Sequence, residues 1–323
     1  MATSFAANIY RMPFWAGRRN INPLLVILGP TAAGKTALSL HLAQRFDGEI
    51  VSADSRLFYR GMDIGTAKPG AVERADVPHH LIDIANPDET VTLGQYQDAA
   101  YRAIDDIHRR GRLPMLVGGT GQYIMAVVEG WGIPRVAPRP ALRRALRRAG
   151  GRELYRWMQR LDPEAAGAIH PNNVRRVVRA LEVTLISGRP ISDLQRKTPP
   201  PYDSLMVGLH ADRESLYARV DRRVDEMMQA GLLQELQDLR DAGYGSSLPA
   251  MSGLGYRQLW EHLQGKLSLE DAVERIRFET HRFVRHQHNW FSEDDPRIHW
   301  FEAGRDDLYL AVEQLLRRWL AED

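Results

Sequence analysis

An apolar run, LLVIL at residues 24–28, leads directly into GPTAAGKT at residues 29–36, and an apolar-periodic stretch follows over residues 37–46. Strand, glycine-containing loop and helix in that order make a phosphate-binding loop, and no other feature of the chain restricts its fold so tightly. The loop comprises Gly29, Pro30, Thr31, Ala32, Ala33, Gly34, Lys35 and Thr36. Backbone N–H groups at the start of the helix cradle phosphate oxygens, Lys35 neutralises them, and the Thr36 hydroxyl can hold Mg²⁺. The loop specifies a diphosphate or a triphosphate and no more.

The segments that follow extend the pattern. Residues 49–53 and 81–84 read as short strands, residues 93–110 as a helix closed by Gly111, and residues 113–117 as a buried strand ending in GGTG. This alternation predicts an α/β fold: a doubly wound parallel sheet of the phosphate-loop type, with ligands at the carboxyl ends of the strands. The pattern changes at Gly132 to Pro134. Helical segments then dominate as far as Gly188-Arg-Pro190, three prolines stand at residues 199–201, and LMVGL at residues 205–209 reads as a strand returning to the sheet. The predicted division is a disordered leader at 1–23, an α/β core at 24–131 and 205–323 with a helical C-terminal part, and a helical insertion at 132–204.

Composition excludes several classes. Cys is absent, which removes disulfides, thiolate metal sites and Cys nucleophiles. No apolar run approaches the roughly 18 residues of a membrane span. The net charge of +2 says little, but its distribution says more. Nine arginines against one acid, Glu153, fall between residues 131 and 161, and a second basic stretch interleaves Arg275, Arg277, Arg282 and Arg285 with His281, His286 and His288. Either these are solvated helix faces or they meet a polyanion.

The fate of the bound phosphate turns on acids. Phosphate-loop hydrolases place an Asp at the end of a neighbouring strand to hold Mg²⁺. Here residues 113–117 end in Gly118, Gly119 and Thr120 instead, and the one acid at a strand end beside the loop is Asp54. Asp54 is either a cap on a strand-to-helix turn or a general base. The seven Trp residues read as core or partial surface, His79-His80 as structural, and Met227-Met228 as packing.

Several segments are less anonymous. GPTAAGKT, Asp54-Ser55, GMDIGTAKP at 61–69, PHHLID at 78–83 and GGTG at 118–121 closely resemble the tRNA dimethylallyltransferase (tRNA isopentenyltransferase) family in order and spacing. The resemblance continues through IHPNN at 169–173, RALEV at 179–183, GYR at 255–257 and the segment from Gln287 to Trp290, covering roughly residues 24–300. It implies transfer of a dimethylallyl group from dimethylallyl diphosphate to the N6 amine of the adenosine 3′ to the anticodon, position 37, with release of diphosphate. The loop would then grip a leaving group, with Mg²⁺ as cofactor. ATP, although commonly associated with such loops, would be neither hydrolysed nor required. Asp54 matches the family's catalytic Asp and Arg223 its catalytic Arg, with Arg219 and Arg222 as near neighbours. Thr31 and Thr120 match positions at the reacting centre. The anticodon stem-loop of tRNA would be gripped by Asp54, Ser55, Arg56, Leu57 and Thr120, by Arg143, Arg175, Arg176 and Arg179, and by Gly255, Tyr256, Arg257, Arg285 and Gln287. His281 and His286 stand where the family usually has basic residues, and Ser252 where a basic residue is common. A cytoplasmic monomer with no membrane contact is expected. A small-molecule kinase on the same loop, or a non-catalytic RNA-binding module, are the other readings.

Overall fold

The computed structural model describes residues 22–288 and 290–321. In chain order it begins with β1 (Pro23–Leu28), α1 (Lys35–Phe46), β2 (Gly48–Ser52), α2 (Ala71–Asp76), β3 (His79–His80), α3 (Leu93–Arg109), β4 (Leu113–Gly118) and α4 (Gly121–Val128). Five helices follow: α5 (Pro140–Arg148), α6 (Gly151–Leu161), α7 (Pro163–Ala168), α8 (Val174–Ser187) and α9 (Ile191–Leu194). The chain continues with β5 (Asp203–His210), α10 (Arg213–Gln229), α11 (Leu232–Asp241), α12 (Tyr256–Leu263), α13 (Leu269–His288), β6 (Ile298–Glu302) and α14 (Leu308–Ala321).

Six strands form one sheet in the order β3-β2-β4-β1-β5-β6, every pairing parallel. Every residue of β1 and β2 is buried, as expected of strands covered on both faces, and this is why β1 reads as a continuous apolar run. Strand order positions the site. Because β2, β4 and β1 are neighbours, the segments leaving their carboxyl ends lie side by side: Ala53 to Ser55, Gly119-Thr120 and the phosphate loop.

Two compact units are present. The first takes the described residues up to Thr92, Tyr96–Ile124 and those from Pro201 onward; the second takes Leu93–Gln95 and Met125–Pro200. The second has a core of its own in which Leu154, Met158, Val177, Leu181 and Val183 are buried.

Several boundaries differ from the sequence reading. Pro23 already belongs to β1, so the expected leader is shorter by that residue, and positions 1–21 lie outside the described residues. The helical unit begins at Met125 rather than at residue 132, and residues 203 and 204 of the expected insertion belong to β5. Residues 81–84 are not a strand. Leu81 and Asp83 have φ of 62° and 56°, left-handed values that no strand accommodates, and the neighbouring strand is His79–His80. The C-terminal part is not all helical either, since β6 adds an edge strand beside β5.

Candidate active site

The phosphate loop is built as its composition demands. Gly29 has φ of 142°, and a Cβ there would lie 2.4 Å from the Leu209 carbonyl oxygen on β5. Gly34 is left-handed, φ 88°, immediately before α1. Glycine is required at both positions. Lys35 opens the helix, and its Nζ donates to the Pro30 carbonyl oxygen at 2.7 Å. Burial pushes this ammonium down to about 8; Asp54 opposes the shift and Arg223 adds to it. Asp54 and Arg223 therefore act electrostatically on Lys35 although they come from different elements.

One cavity of about 300 Å³ lies in the first unit, and Thr31, Asp54, Gly119, Thr120 and Arg223 all line it. Asp54 is no helix cap, because a turn and not a helix follows it. Its Oδ1 accepts the Arg56 N–H at 2.9 Å, which fixes the carboxylate and leaves the second oxygen without a hydrogen bond among the described residues. Arg223 is half-buried, makes no salt bridge among the described residues, and has its pKa lowered by burial against the opposing pull of Glu226. A desolvated guanidinium without a carboxylate is costly unless an anion completes it. Its neighbours are otherwise engaged: Arg219 donates to the carbonyls of Ala32 and Ala303 at 3.4 Å, and Arg222 is exposed. Of the three arginines, Arg223 is the one that lines the cavity.

The remaining wall explains the GMDIGTAKP segment. Gly65, Thr66 and Ala67 line the cavity. The Glu235 carboxylate on α11 accepts the N–H groups of Asp63, Ile64 and Gly65 at 2.8, 2.7 and 3.2 Å and the Tyr256 hydroxyl at 2.6 Å. Lys68, its side chain 1% exposed, joins the Tyr59 carbonyl to Asp63 and Asp83. Sequence reasoning missed Glu235, and neither its spacing nor its type marks it. A stripe on α13 was missed as a whole: Ile276, Thr280, Phe283 and Gln287 line the cavity at steps of three and four residues, with His286 and Trp290 beside them. Met227, expected to be packing alone, lines the cavity too.

The expected RNA contacts divide. Ser55, Arg56 and Gly255 line the cavity, while Leu57, half-buried beside it, accepts the Asp83 N–H through its carbonyl. Arg175 and Arg176 are exposed at the start of α8, where Asn173 caps the helix. Four residues are committed elsewhere. Tyr256 lines the cavity as well but is 1% exposed with its hydroxyl on Glu235, and Arg257 pairs with Glu279. Arg143 and Arg179 both pair with Glu182, which is buried in the second unit. Burial alone would raise that carboxyl; Arg143, the Arg139 N–H and Arg179 outweigh burial and hold it at about 2. The two arginines neutralise a core carboxylate while about a third of each side chain stays exposed. Arg285 donates to the Tyr217 hydroxyl at 2.9 Å and remains exposed. His281 pairs with Asp221 at 2.8 Å and stacks on Tyr217 with ring centroids 4.0 Å apart. That histidine joins α13 to α10.

The pKa of Lys35 gives a first testable outcome. In the free site the ammonium loses its proton near pH 8, and a bound diphosphate would draw that proton back. Affinity for a diphosphate ester, fully ionised by then, should therefore fall by up to about tenfold per unit above about pH 8, with proton uptake on binding. Calorimetry in buffers of different ionisation enthalpy measures both; affinity unchanged to pH 10 would show that Lys35 does not face the phosphate.

Known proteins share this arrangement. Residues 57–294 match the family described as IPP transferase. A tRNA dimethylallyltransferase of Roseiflexus sp. (strain RS-1) is 52% identical over 302 residues, 92% of this chain and 99% of that protein. The crystal structure of the full-length tRNA isopentenylpyrophosphate transferase from Bacillus halodurans matches with a TM-score of 0.70 at 38% identity, over 93% of this chain and 97% of that one. A eukaryotic dimethylallyltransferase acting on tRNA matches with a TM-score of 0.80 at 28% identity, over 91% and 77% of the two chains. With the phosphate loop, Asp54 and Arg223 on one cavity, the chain belongs to the IPP transferase family, among the tRNA dimethylallyltransferases.

Proposed function

We propose that this chain transfers the dimethylallyl group of dimethylallyl diphosphate to the N6 amine of the adenosine 3′ to the anticodon, position 37. The observation that carries the reading is a single cavity shared by a phosphate loop and, among the described residues, a carboxylate with one oxygen free of hydrogen bonds and an arginine without a salt bridge. The amine attacks the allylic carbon, the C–O bond to diphosphate breaks, and the nitrogen becomes cationic. Asp54 takes one N6 proton as that charge develops; a carboxylate is too weak a base to take it earlier. Charge accumulating on the leaving diphosphate is met by Lys35, Arg223 and the N–H groups at the start of α1. Val220, Val224, Met227 and Ile276 give the cavity an apolar side suited to a five-carbon chain. An adenine stacked in an RNA loop cannot reach Asp54, so the nucleotide must be extruded into the cavity.

Mg²⁺ fits this donor set. Among the described residues no group of three His, Cys, Asp or Glu could enclose a metal, and Thr36 is exposed at the loop. Mg²⁺ keeps several waters and favours substrate phosphate oxygens, and the Thr36 hydroxyl would be its protein ligand. When bound, the ion neutralises diphosphate charge. No helix among the described residues is long and apolar enough to cross a membrane; with tRNA as substrate, this supports a cytoplasmic setting.

The test incubates the purified chain with labelled dimethylallyl diphosphate and an anticodon stem-loop, with ATP in a parallel reaction. Label should enter the RNA, and ATP should be neither cleaved nor needed. Phosphoryl transfer from ATP without prenyl transfer would favour the kinase reading.

RNA grip should be separable from chemistry. Arg144, Arg147 and Arg148 are exposed on α5 and form no ion pair among the described residues, unlike Arg143. Replacing these three by Ala should weaken stem-loop binding and flatten the slope of log affinity against log salt by about 0.7–0.9 for each phosphate that is no longer neutralised. Parallel salt lines for variant and wild type would assign them to a solvated face.

A further inference from the structure

Gln287 is 6% exposed and sits near the end of α13. Its Oε1 accepts the Thr31 N–H at 2.8 Å, and its Nε2 donates to the Gly119 carbonyl oxygen at 3.0 Å. One partner is a donor and the other an acceptor, so the amide has one orientation that satisfies both. The two partners are separated from it by 256 and 168 residues. Both belong to segments that carry a hydroxyl to the cavity: Thr31 in the phosphate loop and Thr120 after β4.

We propose that Gln287 is a positioning residue for the diphosphate half of the site, fixing the phosphate loop against the segment after β4, and that it is not an RNA contact. The proposal rests on the reading of the loop as a diphosphate cradle. Three observations carry it. First, the Thr31 N–H is consumed by a side chain, and the Ala33 N–H donates to Pro30. Among the loop N–H groups, those of Ala32, Gly34, Lys35 and Thr36 are left for phosphate, the last three at a helix start that has no internal acceptors. Gln287 thus holds the part of the loop that does not bind the anion. Second, the approach is close. A Cβ on Gly119 would lie 2.5 Å from Gln287 Nε2, 3.1 Å from the Gly29 carbonyl oxygen and 3.5 Å from Lys35 Nζ. The loop, the β4 segment and the phosphate-binding cation are thereby locked at one separation. Third, both polar atoms of the amide already have a protein partner and the residue is 6% exposed, whereas Arg285 and His286, just before it on the helix, are exposed.

Three measurements on Gln287→Ala test this: steady-state kinetics with dimethylallyl diphosphate, binding of inorganic diphosphate by calorimetry, and affinity for an anticodon stem-loop without diphosphate. A misplacement on the ångström scale costs up to about 10²-fold, so kcat/KM for dimethylallyl diphosphate should fall by about 10–10²-fold. Inorganic diphosphate should bind more weakly, while stem-loop affinity stays within about threefold, the bound on an indirect effect. Weakened RNA affinity with unchanged diphosphate binding would overturn the proposal. The diphosphate arm is informative whatever the acceptor, so failure of the prenyl-transfer reading remains distinguishable from failure of this one. Gln287→Glu supplies an independent signature. Its carboxylate can still accept the Thr31 N–H but turns an oxygen lone pair toward the Gly119 carbonyl; only the protonated acid donates there. Its activity relative to wild type should therefore recover as pH falls, because burial and a facing carbonyl raise a carboxyl pKa. The Gln287→Ala ratio should stay flat with pH. A flat ratio for Gln287→Glu as well would show that the Gly119 bond does not matter, and would sink the proposal even if Gln287→Ala failed to fold.

Discussion

Replacing Asp54 by Asn should lower turnover by about 10²–10⁴-fold, the usual contribution of a general base, with diphosphate and RNA affinities little changed. The substitution keeps the oxygen that accepts the Arg56 N–H, so the turn after β2 should stay in place. It removes the proton acceptor and leaves an amide facing the developing cation. Single-turnover kinetics with saturating RNA and dimethylallyl diphosphate isolates the chemical step. A variant retaining a third of wild-type turnover would make Asp54 only the anchor of its turn.

Arg223→Gln has the second-largest expected effect, and it should act on activity and stability in opposite directions. The guanidinium is half-buried without a salt-bridge partner among the described residues, and burial disfavours its charge. Removing it should leave Tm unchanged or higher, as when a strained functional charge is relieved. Turnover should fall by about 10²–10³-fold, the scale for losing one group aimed at developing negative charge. Thermal unfolding and kcat on one preparation decide the matter. A fall in Tm with little loss of turnover would mean that Arg223 holds α10 and does not stabilise the leaving group.

Much of this site could be read before any coordinates. The phosphate loop is contiguous, its glycines are forced by backbone geometry, and the buried strand β1 is a continuous apolar run. Asp54 was legible because it is the one acid at a strand end beside that loop. What escaped is held together by long-range pairing. Nothing local to Arg143 or Arg179 shows that Glu182 is buried between them; Arg144, with the same local composition, is exposed. Tyr256 and Arg257 follow the family motif yet are consumed by Glu235 and Glu279. The supposed strand at 81–84 failed for a local reason, since Asp83 adopts a left-handed backbone beside Lys68 and Arg74. The α13 stripe was hidden by the interleaved charges of that helix, which mask its 3.6-residue period.

The placement of β5 beside β1 has a consequence for biosynthesis. β1 ends at Leu28, but the strand that pairs with its second edge begins at Asp203. A chain emerging from the ribosome must therefore carry an unpaired apolar edge throughout synthesis of the second unit, which has its own core and can fold in that interval. Arg223, Glu235 and Gln287 all come later still. A nascent chain stopped before β5 would possess a phosphate loop without its counter-cation, its cavity wall or its amide clamp. The phosphate loop is thus translated early and the groups that hold it and complete the site come late, with the open edge of β1 as the stage at which a folding helper would have most to shield.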